Sequence, residues 1–189
     1  MRLGRAATSV PDVARTLADL VRWLDGLTRP AALPALTRAL GELTVTSNDV
    51  REHVRFTSGS YARNLVHAGR HHHLLVLCWK NGQRSPIHDH RGSVCGVRVL
   101  RGTMTETFFE RAPNHHIKAI SSHDVGPGGV VGGVDSDIHQ ISNLQPANAE
   151  LVTLHVYSPP LLTMGTYTLF DTRRAEEPMF LEFCDAGGI

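Results

Sequence analysis

The stretch SPIHDHRGSVCGVRVLRG, Ser85 to Gly102, concentrates the side chains with most to offer chemically. His88 and His90 lie one residue apart, and Cys95 follows five residues after His90. On an extended strand, residues i and i+2 project to the same side. His88 and His90 therefore share one face, with Asp89 on the other. Two imidazoles on one face are half of a metal site. A chance H-x-H at a strand end has the same spacing, so the surroundings must decide.

Gly82 stands six residues before His88 and Gly102 seven after Cys95, which gives the frame G-x5-H-x-H-x4-C-x6-G. This resembles the first cupin motif, with cysteine in the place of its glutamate ligand. The second cupin motif supplies a histidine followed four residues later by asparagine. His139 and Asn143 have that spacing, and Gly128 lies eleven residues before His139. The P-x-G of that motif is missing at Val134, Asp135 and Ser136, so the second match is partial. The resemblance implies a site of three histidines and no carboxylate ligand. Three neutral imidazoles on one side of an octahedral ion leave three adjacent positions open, whereas zinc prefers four-coordination and one open position. A redox metal that accepts a bidentate substrate and dioxygen needs three, as in non-haem ferrous oxygenases. Without the carboxylate the centre is one unit more positive. It then favours a thiolate and lowers a thiol pKa from its free value of about 8.5. Such a site suits a small thiol and oxygen.

Further segments narrow the resemblance: YARNLV (Tyr61–Val66), LLVLCW (Leu74–Trp79), SPIHDH with Cys95 in register, IHQISN, and LHVYSPP (Leu154–Pro160). In this order, from about Tyr61 to Asp171, the chain is similar to the cysteine dioxygenase family. The resemblance implies a cupin β-barrel that oxidises L-cysteine with O2 to cysteine sulfinic acid, a step of cysteine catabolism towards taurine. It implies Fe(II) as cofactor, with His88, His90 and His139 as ligands. Arg63 matches the family arginine that holds the substrate carboxylate, and Tyr61 in the same segment is placed at the substrate with it. Independently of the family, a planar and permanently charged fork suits bidentate carboxylate binding. Without the motif, Arg63 would read as a surface salt-bridge residue. Relatives acting on mercaptopropionate carry glutamine there.

Alternation on the last strong strand puts Leu151, Thr153, His155 and Tyr157 on one face and Val152, Leu154 and Val156 on the other. The family has a serine, histidine and tyrosine relay at this place, and Thr153 retains the hydroxyl donor and acceptor. A core histidine or a fourth ligand is the alternative for His155. The resemblance also implies a cis Ser158–Pro159 bond and a pocket position at Met164, where some members have cysteine. It implies a thioether between Cys95 and Tyr157 formed with iron, oxygen and thiol substrate. Arg91-Gly92-Ser93 is expected to make a turn or bulge that returns Cys95 to the lumen with Val97 and Val99. The bland alternative for Cys95 is a small buried thiol.

These side chains need a scaffold, and the chain changes character along its length. From Pro11, the positions Val13, Leu17, Leu20, Val21 and Leu24 form a helical stripe closed by Gly26 and Pro30. Leu33, Leu36, Ala39, Leu40 and Leu43 form a second, and Thr46 to Asp49 offers an N-cap for a short third helix. From about residue 60 the sequence becomes short apolar runs divided by glycine-rich turns. The strands expected are His73–Trp79, Val94–Leu100, Thr103–Phe109, Gly128–Gly133 and Glu150–Tyr157, with a hairpin at Arg101-Gly102. The fold expected is mainly β, a barrel or sandwich with a helical N-terminal cap. It is taken as one cupin domain over 1–189, helical over 1–55 and barrel over 60–175.

The bulk composition excludes several classes. The chain has 189 residues, 41% hydrophobic and 20% charged, with a net charge of +1. No long basic or acidic run supports nucleic-acid or membrane-surface binding. The opening MRLGRAATSVPDV lacks the apolar block of a secretory signal. Cys78, Cys95 and Cys184, odd in number and widely spaced, suit a reducing cytoplasm better than a disulfide framework. Among twelve histidines, the run His71, His72, His73 and the pair His115, His116 read as solvated loop residues. The expected protein is a monomer acting on L-cysteine and O2. The alternatives are a thiol dioxygenase for 3-mercaptopropionate or another small thiol, and a metal-binding cupin without oxygenase activity.

Overall fold

The computed structural model describes residues 15–179. Helix α1 (Leu17–Asp25) starts where Thr16 and Asp19 form a reciprocal capping box, which satisfies two backbone donors that a helix start leaves open. Pro11 and Val13 of the expected stripe lie outside the described residues. Helix α2 (Leu33–Glu42) has a proline in its first turn and buries Leu36, Ala39 and Leu40. The expected third helix does not form. Asp49 accepts hydrogen bonds from the backbone N–H of Thr46 (2.8 Å) and from its hydroxyl (2.6 Å), which closes a turn. Only a single 3-10 turn, Arg51–His53, follows it.

Eleven strands follow among the described residues: β1 (Ala62–Gly69), β2 (His72–Trp79), β3 (Ile87–Asp89), β4 (Val94–Arg101), β5 (Met104–Arg111), β6 (Ile117–Val125), β7 (Val130–Gly133), β8 (Ile138–Ser142), β9 (Leu151–Ser158), β10 (Thr163–Tyr167) and β11 (Ala175–Pro178). They form two antiparallel sheets, ordered β1-β2-β9-β4-β7 and β11-β10-β3-β8-β5-β6. This is the cupin barrel. Arg101-Gly102 is not a hairpin turn, because β4 lies in the first sheet and β5 in the second. Gly102, with φ of +80°, carries the chain across between them, where a Cβ would come within 2.5 Å of the Glu150 carbonyl oxygen.

Strand β9, in the middle of the first sheet, separates two cores. Val152, Leu154 and Val156 pack with Leu74, Val76 and the helices on the outer face. Tyr157 packs with Leu75, Leu77, Trp79, Cys95, Val97 and Val99 on the lumen face. The turn at Arg91 and Gly92, both at positive φ, resets the chain before β4, and Cys95 reaches the lumen. Helix α2 lies close against β4 and β7 at two glycines. A Cβ at Gly96 would press into Leu40 and Leu36, and one at Gly132 into Thr37 and Leu33. Leu36 and Leu40 are fully buried there, each contributing about 1.5–3 kcal/mol. Among the described residues no helix is long and apolar enough to cross a membrane.

Candidate metal centre

Strand β3 lies between β8 and β10, and its register sets His88 directly opposite His139. His90 follows one residue past the strand end. The three rings are mutual neighbours, with centroid distances of 5.4 Å (His88–His90), 4.7 Å (His88–His139) and 4.8 Å (His90–His139). One nitrogen from each lies within 4.8 Å of the others, all buried, and the Nε2 atoms of His90 and His139 approach to 3.2 Å.

The backs of two rings are fixed. His88 Nδ1 lies 3.0 Å from the Pro86 carbonyl oxygen, so that nitrogen carries the proton and Nε2 is left with its lone pair. His139 Nδ1 donates to Glu106 Oε1 at 2.7 Å, and Glu106 Oε2 also lies 3.3 Å from His123 Nε2. Burial, and then the neighbouring imidazoles, hold His88 well below the usual histidine range. Burial, followed by His139, lowers His90 to about 3. Three buried imidazoles whose nitrogens converge are a donor set for a divalent ion with nitrogen preference, and the three histidines fit one.

Glu106 stands directly behind His139, and the sequence reading did not single it out. It is 3% exposed and follows Met104 by two residues on β5, so it faces inward with it. A single carboxylate on the apolar face of an alternating strand was the available signal. Asp89, expected on the far side from the imidazoles, does face away. It accepts two hydrogen bonds from Arg174 (2.7 and 2.6 Å), one from the Tyr167 hydroxyl (2.5 Å) and one from the Gly165 N–H (3.1 Å). These bonds tie β3 to β10 and to the segment that carries Arg174.

A small, tightly lined pocket opens on the triad, lined also by Tyr61, Arg63, Trp79, Cys95, His155 and Tyr157. Arg63, from β1, is buried, and its Nε and Nη2 have no hydrogen-bond partner among the described residues. Its guanidinium carbon lies 5.5 Å from the Tyr157 ring centre. Tyr61 stacks on Trp79 at 4.2 Å. From Trp79 a polar line runs through the Nε1 bond to Thr153 Oγ1 (3.0 Å), on to His155 Nε2 (2.9 Å), and from His155 Nδ1 to the Tyr157 hydroxyl (3.3 Å). His155 has both ring nitrogens occupied in this line and is not part of the histidine cluster. Thr153 lies behind His155 and does not line the cavity.

Cys95 pairs directly with Tyr157 across β4 and β9. Burial first, then Glu106, raises its thiol pKa far above the ordinary value. It stands outside the cluster of potential ligand atoms. Met164 is buried but does not line this cavity; it lies in an adjoining cleft that shares Tyr61 and Arg63. The Ser158–Pro159 bond is cis. Asn143 is fully buried and donates to the Trp79 and Ala149 carbonyls, so the asparagine of the second motif braces the barrel and stands outside the histidine cluster. His72 and His73 are not solvated loop residues. The strand begins two residues after Arg70, and both are buried on it. His115 is exposed in a turn, and Cys184 lies outside the described residues.

The family model described as cysteine dioxygenase type I matches residues 6–171, so the likeness extends back from Tyr61 through the helical region. Cysteine dioxygenase type 1 of Homo sapiens is 32% identical over 162 residues, covering 81% of this chain and 79% of that protein. The Danio rerio protein of the same name is 28% identical over 159 residues, covering 80% and 79%. The crystal structure of TT1209 from Thermus thermophilus has a TM-score of 0.50 at 17% identity, covering 59% of this chain and 94% of that one. That likeness is one of fold.

Proposed function

The chain belongs to the cysteine dioxygenase type I family, and from that premise we propose that it is an Fe(II)-dependent dioxygenase converting L-cysteine and O2 to cysteine sulfinic acid. The observation that carries the choice of substrate is Arg63, a buried guanidinium with two unpartnered nitrogens on the same cavity as the histidine triad. Leaving such donors unsatisfied is costly, and a carboxylate satisfies two at once. Fe(II), held by the Nε2 atoms of His88, His90 and His139, would supply open coordination positions and the redox chemistry for O2.

The chain's own residues do the rest. Arg63 binds the carboxylate of L-cysteine, which fixes the thiol end towards the triad, and Tyr61 closes the wall beside it. The Trp79 N–H can only donate, so Thr153 Oγ1 accepts it. The threonine proton then goes to His155 Nε2 at 2.9 Å, a nearer acceptor than the Leu77 carbonyl at 3.5 Å. This leaves the His155 proton on Nδ1, donated to the Tyr157 oxygen, and turns the Tyr157 proton out to the cavity. Burial first, then Cys95, raises the Tyr157 pKa far above that of a free phenol, so its hydroxyl remains a donor at neutral pH. Glu106 orients His139 and makes it a stronger base towards the ion.

The direct pairing of Cys95 with Tyr157 supports a thioether formed slowly during turnover, which would fix the position of the phenol. Met164 shapes the approach to Arg63 rather than the wall of the cavity. We take the protein as a single cupin domain over 1–189 that works as a monomer in the cytoplasm. The test is O2 uptake by ferrous protein with L-cysteine, cysteamine and 3-mercaptopropionate. L-Cysteine should be consumed fastest; preference for 3-mercaptopropionate would move the reading to that related activity.

A further inference from the structure

Two clusters of potential metal ligands occur among the described residues, and only one is the triad. The other joins Asp25, the last residue of α1, to His67 near the end of β1 and His72 at the start of β2. One ligand atom from each lies within 4.8 Å of the others, the same span as His88, His90 and His139. His67 Nε2 is 2.8 Å from Asp25 Oδ1, His72 Nε2 is 3.8 Å from the same oxygen, and the two rings stack at 5.3 Å.

A break in strand alternation builds this cluster. The β1–β2 register slips between Leu65 and His67, so Leu65 pairs with Leu75 but His67 pairs with Leu74. The bulge at Val66 turns His67 away from the lumen onto the outer face. There it joins His72, which is two residues before Leu74 on the same face. Gly69 pairs with His72, and a Cβ at that position would run into the His72 ring and come within 3.0 Å of Asp25 Oδ1. Glycine leaves the room that these groups fill.

His72 points to a missing ligand. It is 0% exposed, and neither ring nitrogen has a hydrogen-bond partner among the described residues. Buried polar atoms are rarely left so. Burial, and then His67, lower its pKa to about 4, so its lone pair is available at neutral pH. Asp25 is 48% and His67 32% exposed at the side chain, which gives an ion a way in and leaves room for water. Two imidazoles, one carboxylate and a position open to water form a donor set for a borderline divalent ion.

We propose that Asp25, His67 and His72 form a second metal site, selective for a divalent transition ion such as zinc, that ties the end of α1 to the β1–β2 hairpin. It lies on the outer face of the first sheet, apart from the cavity that holds the triad, and its role is to fasten the helical cap to the barrel.

The experiment is zinc binding to the metal-free full-length protein, by equilibrium dialysis and elemental analysis. Wild type should bind two equivalents per chain. His88→Ala, which disables the triad, should retain one, and so should Asp25→Asn or His67→Gln alone. The doubles Asp25→Asn/His88→Ala and His67→Gln/His88→Ala should retain none. Loss of outer-shell partners alone weakens metal sites by about 10–100-fold, so losing a ligand should weaken zinc at least about 100-fold. Asp25 and His67 are exposed enough for substitution without unfolding, and circular dichroism checks this. Zinc should raise the melting temperature of His88→Ala but not of Asp25→Asn/His88→Ala. His115→Gln/His116→Gln should keep both equivalents. A His88→Ala protein that binds no zinc, or zinc that survives in Asp25→Asn/His88→Ala and His67→Gln/His88→Ala, overturns the site.

Discussion

Glu106→Gln tests how the proposed three-histidine site would hold an ion. Glu106 is buried, and its carboxylate accepts the Nδ1 proton of His139 at 2.7 Å. Glutamine keeps the shape and one acceptor but removes the charge; Glu106→Ala also leaves the Nδ1 proton without a partner. A hydrogen bond to a charged group is worth about 1.5–3 kcal/mol. Outer-shell partners of ligating histidines typically change metal affinity by about 10–100-fold, or roughly 1.4–2.7 kcal/mol. The two routes agree, so Glu106→Gln should weaken ferrous binding by about 10-fold and Glu106→Ala by about 100-fold. The assay is anaerobic competition against a coloured Fe(II) chelator, with thermal melting of the metal-free proteins as a control for folding. A folded Glu106→Ala protein that binds iron as tightly as wild type would refute the role given to this carboxylate.

Other perturbations separate the remaining parts. Arg63→Ala should cost about 1.5–3 kcal/mol in kcat/KM for L-cysteine and much less for cysteamine, which has no carboxylate; equal losses would make Arg63 structural. Iron-loaded, aerated and cysteine-treated protein should lose the mass of two hydrogens and give a linked Cys95–Tyr157 peptide. Cys95→Ala should abolish that species yet keep iron, and a loss of iron would make Cys95 a ligand. Arg174→Ala removes the main cation from Asp89, which is 4% exposed. A fully buried pair would lose about 3–5 kcal/mol. Here Tyr167 and the Gly165 N–H still bond to Asp89 and the Arg174 side chain is 27% exposed, so about 2–3 kcal/mol and a melting temperature lower by roughly 5–10 °C are expected. An unchanged melting temperature would remove Arg174 from the support of β3.

Much of this was legible because period-2 alternation carries faces as well as strands. On β9 the sequence separates Thr153, His155 and Tyr157 from Val152, Leu154 and Val156, and the two sets lie in different cores. The H-x-H pair carried its own geometry in the same way. Strand β6 was missed because its residues from Lys118 to Asp124 are all exposed, so no apolar pattern marks it. Strand β3 is three residues long and is held largely by its neighbours. Glu106 and Arg174 act through partners 33 and 85 residues away in sequence, and no local spacing signals such a bond. His72 was misread because a histidine run next to a glycine resembles a loop; only the pairing of Gly69 with His72 makes it the start of a buried strand.

The proposed reaction is the addition of both atoms of O2 to the thiol of L-cysteine at a three-histidine ferrous site. The direct measurement supplies 18O2 to protein loaded with one equivalent of Fe(II), follows O2 consumption with L-cysteine, and weighs the product. One O2 consumed per cysteine, a sulfinate carrying two 18O atoms, and no turnover in His139→Ala are expected. Consumption of O2 without incorporation, with cystine as the product, or no consumption by fully iron-loaded protein, would contradict it.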